Sequence, residues 1–527
     1  MAEPVFPRAA HRAGALLSIA LVLGGVALRV AYVNRPFDHR TLNSWREADY
    51  AQVARNFWRE DPNIFRPRID WRRDGPGLVE MEFPLIPWVA GMLYRVVGYH
   101  EPIMRGLAAV LEIGSLLLFA GLARRLLPEA GAIAAVAFFA VNPLLVYLST
   151  AMQPEPLMLF FAVLAVVLLD RWDRTGHAPS LPLAGVALGG AILAKAPAAC
   201  LGFLFAVVVL RRLGLRATRS APVWFAAVLA LFPPAAWYAW ARHYWVQFGN
   251  SLGMSNESPF IGLDMLGQPT WILGLLKWQT LSVLVPLGWI LLAAAHRAPR
   301  AATGVPFVWL TSVWFMLLVS ARTTAEDWAF YYHALAVAPA CLLMGSGVLT
   351  LRDGGTARVL WLPPGLRRRV LGTALAVGTA VLLCAATVVV VRRRDGHEEL
   401  RVMRGCGLQF ASSIPPDARL VVRGGTAVHL RYGTPVAHDR SLMFAWLDRK
   451  GFTYADQELG AAHLERLAAR GGRYWIIEPD ELNDRMRAEI GSRFRFVDQC
   501  APGYLLVDLQ RGSARPAAPD AVGGRGR

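Results

Sequence analysis

Lysine is almost missing from this sequence, and so are the short motifs of soluble nucleotide-dependent enzymes. Only Lys195, Lys277 and Lys450 are lysines among the 55 basic residues, and the others are arginines. The chain has no Gly-rich phosphate loop, no cysteine and histidine spacing typical of a zinc site, and no nucleophile elbow. These absences exclude the common classes of soluble nucleotide enzyme. They also make a lysine within an apolar segment a candidate for a specific role.

Acidic residues are scarce too: 38 stand against 55 basic ones, which gives a formal net charge of +17. Such a balance suggests nucleic acid as a partner, but the arginines lie mostly between apolar runs, as in the cytoplasmic loops of membrane proteins. We therefore expect membrane lipids and no nucleic acid as partners. The residues are 55% hydrophobic, and apolar runs of roughly 20 residues recur, the length that crosses a bilayer.

The alternation of apolar runs and basic loops predicts a polytopic α-helical membrane protein with about eleven transmembrane helices. Basic residues before the first run place the N-terminus in the cytoplasm, and the count then places the C-terminus outside it. We expect a transmembrane domain over residues 1–395, which includes a first outer loop at 34–105. A small extracytoplasmic domain at 396–510 and a disordered tail at 511–527 follow.

The composition changes at the beginning of the C-terminal domain, where short strand patterns alternate with helical ones. This alternation predicts a small α/β domain. The predicted strands are Leu420–Val422, Tyr474–Ile477, Phe494–Val497 and Tyr504–Leu506, and the predicted helices between them are Ala461–Ala469 and Glu481–Ile490.

Two cysteines, Cys406 and Cys500, lie in this domain, and the other three lie in apolar runs. They stand near the beginning and near the end of a domain that the topology places outside the cytoplasm, where disulfides persist. We predict a disulfide between them, which would stabilise the domain by ~4–5 kcal/mol on chain entropy alone. The alternative is two unpaired thiols, because spacing does not determine pairing.

The stretch 43–57 reads NSWREADYAQVARNF and follows the first apolar run. Its apolar residues recur at helical spacing, so we predict a helix at the membrane surface. Glu47 and Asp49 lie near its start, where the helix dipole favours negative charge, and Arg46 and Tyr50 are neighbours that we expect to bind substrate. The alternative is an ordinary interfacial helix with an acidic first turn.

Two further candidates lie at the ends of predicted spans. Glu155 stands between two prolines in QPEPLMLFF, which would hold its carboxylate at the membrane interface. Lys195 in ILAKAPA lies at an outward turn between two apolar helices, where a flexible point charge suits a phosphate. The alternatives are a carboxylate that faces solvent and a lysine that extends to the interface.

A later outward loop reads RTTAEDWAFYYHALAVAPA and contributes Arg322 and His333 as candidates for substrate binding. Tyr331 and Tyr332 face outward in the same stretch. The alternative for His333 is an interfacial histidine whose ring nitrogens already have protein partners.

Five motifs together resemble a known family. They are WREADYAQVARNF, EFPLIPWVAGMLYRVVG, QPEPLMLFF, ILAKAPA and YYHALAVAPA, in this order within about residues 13 to 350. In these motifs the chain resembles the GT-C superfamily of polytopic glycosyltransferases. It is most similar to bacterial members of family 39, which resemble protein O-mannosyltransferases and the aminoarabinose transferase of lipid A.

The resemblance implies transfer of a sugar, with inversion, from a polyprenyl-phosphate donor to a lipid, glycan or protein acceptor outside the bacterial inner membrane. The family's first-loop acidic pair acts as base or holds a metal, and here the pattern is Glu47-Ala48-Asp49. We assign the role first to Asp49 and second to Glu47. The second-loop acid corresponds to Glu155, and Lys195 corresponds to the lysine that contacts the donor phosphate. A divalent cation, if the reaction uses one, would be held by Asp49 and Glu155.

Two other classes of protein also have many spans. A secondary transporter with a charged outer site would show two similar halves, and the sequence has no such internal repeat. A transporter also has little use for a long first loop or an appended outer domain. A sensor or scaffold would leave the loop carboxylates without a role.

Overall fold

The computed structural model describes residues 6–35, 44–253, 262, 270–353, 368–395, 398–425, 441–501 and 503–510. The chain forms two compact units. The first consists of Met1–Pro67 and Val79–His397, and the second of Arg68–Leu78 and Glu398–Arg527. The segment 68–78 of the predicted first outer loop is thus part of the second unit. The predicted tail at 511–527 lies outside the described residues.

The first unit is built from α-helices, as the long apolar runs predict. The described helices are α1 (Phe6–Val30), α2 (Ser44–Arg59), α3 (Leu85–Val97), α4 (Pro102–Leu126), α5 (Glu129–Ala140), α6 (Pro143–Leu148), α7 (Glu155–Thr175), α8 (Ser180–Ala194), α9 (Leu201–Leu213), α10 (Ala221–Phe248), α11 (Thr270–Trp278), α12 (Val285–Ala295), α13 (Arg300–Val319), α14 (Ala321–Thr324), α15 (Ala334–Asp353) and α16 (Arg368–Asp395).

Seven helical segments in the described part of the chain are long and apolar enough to cross a membrane. They are Pro102–Leu126, Ala196–Arg219, Ala221–Phe248, Thr270–Ala295, Arg300–Val319, Asp327–Arg352 and Val370–Arg392. Shorter apolar helices accompany them, among them α3. These helices confirm the predicted polytopic fold class, whereas the number of spans stays a prediction.

Two predicted spans are interrupted for local reasons. Asn142 ends α5 and begins α6, because its side-chain oxygen accepts hydrogen bonds from the backbone of Leu144 (3.1 Å) and Leu145 (3.2 Å). A π-helical segment, Gln279–Leu284, separates α11 from α12, and the residue after it, Val285, has a positive φ of 53°. Neither interruption follows from hydropathy, because each depends on local hydrogen bonds or backbone geometry.

Helices α8 and α10 pack closely because two glycines of α8 lie at their interface. A Cβ added at Gly185 would lie 2.4 Å from the carbonyl oxygen of Ala226, and one at Gly189 would lie 2.6 Å from that of Leu229. Small residues four apart permit this close approach of membrane helices. Helix α8 ends at Ala194, and Lys195 follows directly.

The second unit contains a five-stranded sheet, which confirms the predicted α/β character of the C-terminal domain. Its strand order is β2-β1-β3-β5-β4; β1 is parallel to β2 and β3, and β5 is antiparallel to β3 and β4. The strands are β1 (Arg419–Arg423), β2 (Gly451–Tyr454), β3 (Gly472–Ile477), β4 (Arg495–Cys500) and β5 (Tyr504–Asp508), and the helices are α17 (Glu398–Ala411), α18 (Leu442–Leu447), α19 (Ala461–Ala469) and α20 (Asp484–Arg493).

The core of this unit forms where the inner face of the sheet meets α19 and α20. Trp475 and Phe452 are fully buried there, and the Trp475 indole donates a hydrogen bond to the Tyr454 hydroxyl (2.9 Å). Strand β2, which is four residues long, was not predicted from the sequence. The other four strands lie at the predicted positions.

The segment 68–78 is held within the second unit by backbone and side-chain contacts. The Gly451 N–H donates to the Asp70 carbonyl (3.0 Å), and the Arg73 N–H donates to the Gly451 carbonyl (3.0 Å). The Asp74 carboxylate contacts the guanidinium groups of Arg419 (3.4 Å) and Arg470 (2.6 Å).

Cys406 of α17 and Cys500 of β4 form a disulfide, with 5.4 Å between their α-carbons. This distance lies within the range that a disulfide can bridge without movement of the backbone. The bond links the helix at the beginning of the C-terminal sequence to a strand near its end. The other three cysteines, Cys200, Cys341 and Cys384, are free.

Thiol titration of the denatured protein tests this disulfide. Without reductant we expect three reactive thiols, because Cys406 and Cys500 are bonded, and with reductant we expect all five. Protein from which both cysteines have been replaced by serine serves as the control and should give three thiols under either condition. Five thiols in the untreated wild type would contradict the disulfide and the extracytoplasmic position of this domain.

Candidate active site

Helix α2 presents charged side chains on its buried face. Asp49 and Tyr50 follow Arg46 by three and four residues, so both are its neighbours on the helix surface, and all three are buried. Arg46 donates a hydrogen bond to a carboxylate oxygen of Glu82, and the Tyr50 hydroxyl donates to the other oxygen (3.0 Å). The helix that the sequence singled out therefore faces a second acidic residue from the same loop.

Glu82 is positioned by the backbone on both sides of it. The N–H of Phe83 donates to the carbonyl of Leu193 in the last turn of α8 (3.1 Å), and the Trp237 indole of α10 donates to the carbonyl of Met81 (3.1 Å). These bonds place the Glu82 carboxylate beside Lys195, with 3.9 Å between carboxylate oxygen and ammonium nitrogen.

Lys195 lies at a break between two helices. Its backbone is extended (φ −160°, ψ 119°), so α8 ends there and a 3₁₀ helix, Ala196–Cys200, begins. The residue is only 2% exposed, and its side chain donates a hydrogen bond to Glu155 at the beginning of α7. The break therefore brings an ammonium group into contact with two carboxylates, those of Glu82 and Glu155.

Two tyrosines complete the surroundings of the cations. The Tyr331 hydroxyl accepts a hydrogen bond from Arg46 (2.9 Å). The Lys195 ammonium lies 4.3 Å from the ring centre of Tyr331 and 4.6 Å from that of Tyr332, within the range of a cation–π contact. Both tyrosines belong to the 3₁₀ helix Asp327–His333 before α15.

We refer to Arg46, Glu82, Glu155 and Lys195 as the charge cluster. Its two cations and two carboxylates are all at least 95% buried, and they come from four separate parts of the first unit. Burial alone would raise the pKa of Glu82, but Arg46 and Lys195 outweigh this effect, so its pKa lies below the ordinary value. The formal charges of the two cations and the two carboxylates cancel, and each cation contacts a carboxylate that compensates its charge.

The structure brings together four of the residues that the sequence nominated: Arg46, Tyr50, Glu155 and Lys195. It adds Glu82, which the sequence analysis did not nominate. The family motif EFPLIPWVAGMLYRVVG contains this residue, but the motif supported only the family resemblance. An acidic residue at the start of an otherwise apolar motif was the signal that could have indicated Glu82.

The other nominated residues have different surroundings. Glu47 lies 3.9 Å from the guanidinium of Arg105. Both ring nitrogens of His333 have partners, Gln279 at 2.7 Å and the carbonyl of Thr324 at 3.0 Å, so its contacts are those of a structural histidine. Arg322 lies in α14 and is partly exposed.

The donor set does not fit the divalent cation that the sequence allowed. Within the described residues no three His, Cys, Asp or Glu side chains converge into a group that could hold a metal ion. Glu155, one of the two nominated ligands, has the Lys195 ammonium against one of its oxygens, and a cation in that place competes with a metal. No step proposed below uses a metal.

The charge cluster makes a prediction about stability. Replacing Glu82 with glutamine leaves Arg46 and Lys195 with one carboxylate between them, so we expect a loss of about 3–5 kcal/mol in unfolding free energy. The exposed pair of Lys277 and Asp327 (2.6 Å) provides the control, because Asp327→Asn should cost less than about 1 kcal/mol. Thermal unfolding in detergent measures both, and equal losses would contradict the assignment of Glu82 to the cluster.

Comparison with known proteins gives one family and several structures. Residues 76–240 match the family model PMT_2, described as dolichyl-phosphate-mannose-protein mannosyltransferase. This range contains Glu82, Glu155 and Lys195. No curated protein sequence matches the chain.

The chain resembles solved structures of membrane glycosyltransferases over nearly its full length. ArnT from Cupriavidus metallidurans in the apo state has a TM-score of 0.62 at 14% identity, covering 96% of this chain and 100% of that one. The same protein bound to undecaprenyl phosphate has a TM-score of 0.58 at 13% identity, covering 95% and 99%.

The oligosaccharyltransferase of Archaeoglobus fulgidus has a TM-score of 0.56 at 11% identity, covering 88% of this chain and 69% of that one. At these identities the likeness concerns the fold, and the partial match to the mannosyltransferase family agrees with it. The chain therefore has the fold of the GT-C superfamily of polytopic glycosyltransferases and resembles its ArnT and protein mannosyltransferase members.

Proposed function

We propose that this protein is a glycosyltransferase that moves a sugar from a polyprenyl-phosphate donor to an acceptor outside the inner membrane of a bacterium. The observation that carries the proposal is the charge cluster, in which two buried cations meet two buried carboxylates. A fold shared with ArnT, which was solved with bound undecaprenyl phosphate, supports the choice of donor. The same likeness, over 95% of the chain, favours this function over a secondary transporter.

Lys195 and Arg46 are the groups that would bind the donor phosphate. Both are buried, and both already bind oxygen anions, the carboxylates of Glu155 and Glu82. A phosphate offers the same kind of oxygen with similar charge, so it would compete with these carboxylates for the same cations. The phosphate of the donor would therefore lie at the helix break after α8, with the polyprenyl chain toward the apolar spans.

Asp49 is the carboxylate best suited to act as the base. Glu47 contacts Arg105, and Glu82 is bound by Arg46 and Tyr50, which makes it a weaker base. Asp49 lies on the face of α2 that carries Arg46 and Tyr50, so it would reach an acceptor hydroxyl bound near the donor.

The chemical step then balances as follows. The acceptor hydroxyl oxygen bonds to the anomeric carbon while the bond from that carbon to the phosphate oxygen breaks. The Asp49 carboxylate takes the hydroxyl proton, and the leaving lipid phosphate gains one negative charge. Lys195 and Arg46 stabilise this new charge, which is largest in the transition state and the product. Attack from the face opposite the phosphate inverts the anomeric configuration.

The donor sugar would be a hexose or a pentose, and the acceptor a lipid, a glycan or a protein. The C-terminal domain would lie on the extracytoplasmic side with the acceptor, and the N-terminus in the cytoplasm. A transfer assay with radiolabelled polyprenyl-phosphate sugars and membrane extracts as acceptors tests the proposal. Absence of label transfer from every donor by the folded protein would overturn it.

We predict that Asp49→Asn lowers turnover by roughly 10²- to 10⁴-fold while the protein stays folded in detergent, because an amide of the same size cannot accept the proton. Glu47→Gln is the matched control from the same turn of α2 and should lose much less. The radiolabel assay measures both, and thermal unfolding checks the fold. Normal turnover of Asp49→Asn together with an inactive Glu47→Gln would move the role of base to Glu47.

We also predict that Lys195→Ala raises the KM for the donor by roughly 10- to 100-fold, because it removes a charged contact to the donor phosphate. The KM for the acceptor should change little. Lys277→Ala, which removes the only other lysine of the first unit, should leave both constants near the wild-type values. Equal increases in both KM values for Lys195→Ala would show that the lysine has a structural role only.

A further inference from the structure

Gln153 is a buried amide whose hydrogen-bonding capacity is unused within the described part of the chain. The residue is 0% exposed, and neither its amide nitrogen nor its amide oxygen has a hydrogen-bond partner among the described residues. A primary amide can donate two hydrogen bonds and accept two. Burial without partners disfavours the folded state, so such a group calls for an explanation.

Two other buried amides of the first unit show what a structural role looks like. Asn142 accepts from two backbone N–H groups and donates to the carbonyls of Ser282 (3.0 Å) and Val283 (3.4 Å). Gln279 bonds to His333 (2.7 Å) and accepts from the indole of Trp314 (3.2 Å). In both cases the oxygen and the nitrogen of the amide have partners, whereas neither atom of the Gln153 amide has one among the residues that the structure describes.

Gln153 lies next to the charge cluster along the chain. It precedes Glu155 by two residues, so their α-carbons are at most roughly 7 Å apart. Pro154 between them has a helical conformation (φ −76°, ψ −15°) and directly precedes α7, which begins at Glu155. One oxygen of Glu155 and the Nε of Arg46 are likewise buried without a hydrogen-bond partner among the described residues.

These orphaned groups differ in chemistry, and the difference indicates what each would bind. Arg46 and Glu155 carry charge, which suits a phosphate or a group that gains or loses a proton. The Gln153 amide is neutral and both donates and accepts, which matches the hydroxyl groups of a sugar. A phosphate offers only acceptors, so it would pair with the amide nitrogen and leave the amide oxygen without a donor.

We propose that Gln153 binds hydroxyl groups of the sugar that is transferred and contributes to the choice of that sugar. This inference rests on the proposed glycosyltransferase function and names a part of the substrate that the charge cluster does not bind. A binding site with a hydrogen-bonding group for a substrate hydroxyl discriminates strongly against sugars that lack the hydroxyl, because the group is then left unpaired.

The test compares Gln153→Met with the wild type, because methionine has a similar length and no hydrogen-bonding amide. With undecaprenyl-phosphate mannose, or whichever sugar the wild type transfers best, kcat/KM should fall about tenfold or more. Inhibition by undecaprenyl phosphate, which has no sugar, should stay within about twofold of the wild type, because its phosphate does not contact Gln153. With a donor whose relevant hydroxyl is replaced by hydrogen, the two proteins should have similar kcat/KM.

Thermal unfolding separates this role from a structural one. Removing an unpaired buried amide should leave the melting temperature of Gln153→Met equal to or above that of the wild type. Gln279→Met is the matched control and should melt at a lower temperature, because its amide has partners. A large drop in melting temperature for Gln153→Met would show that the amide supports the fold and would overturn the inference.

The kinetic outcomes distinguish failure of the inference from failure of the proposed function. Equal kcat/KM values of wild type and Gln153→Met with every sugar donor would overturn the inference and leave the proposed function standing. Equal losses in sugar transfer and in binding of undecaprenyl phosphate would also contradict a sugar contact. A wild type that transfers no sugar from any polyprenyl-phosphate donor would overturn the proposed function itself.

Discussion

Pairing of buried charges is the constraint on which the first unit depends. Arg46 and Lys195 are almost completely buried, and an uncompensated charge there would destabilise the fold by several kcal/mol. Each cation is therefore bound by a carboxylate from a different part of the chain, Glu82 or Glu155. These contacts join α2, the loop before α3, the start of α7 and the break after α8. Small residues between α8 and α10 and the backbone bonds on either side of Glu82 keep the groups in place.

The fold was predictable where apolar length and strand patterns determine it. Apolar runs indicated the polytopic helical unit, and strands such as Tyr474–Ile477 indicated the α/β character of the C-terminal sequence. Interruptions such as Asn142 and the π-helical segment were not predictable, because they depend on individual hydrogen bonds rather than on hydropathy. The grouping of 68–78 with the second unit depends on pairing with Gly451, which lies far away in sequence.

The candidate site was predictable in part. Lys195 and Glu155 stood out because a charge at the end of an apolar span is unusual. Their contact, and the contact of Arg46 with Glu82, are tertiary, so sequence spacing did not reveal them. The amide of Gln153 has no hydrogen-bond partner among the described residues, and this depends on tertiary packing. In the sequence, a glutamine between two apolar spans is unremarkable.

A structure of the protein with undecaprenyl phosphate in a lipid nanodisc tests the central claim most directly. The account predicts that the phosphate contacts the ammonium of Lys195 and the guanidinium of Arg46, and that Glu82 or Glu155 gives up its contact with one of these cations. A phosphate bound elsewhere, with the pairs Arg46–Glu82 and Lys195–Glu155 unchanged, would contradict it. The charge cluster would then be a structural feature of the fold and not the donor site.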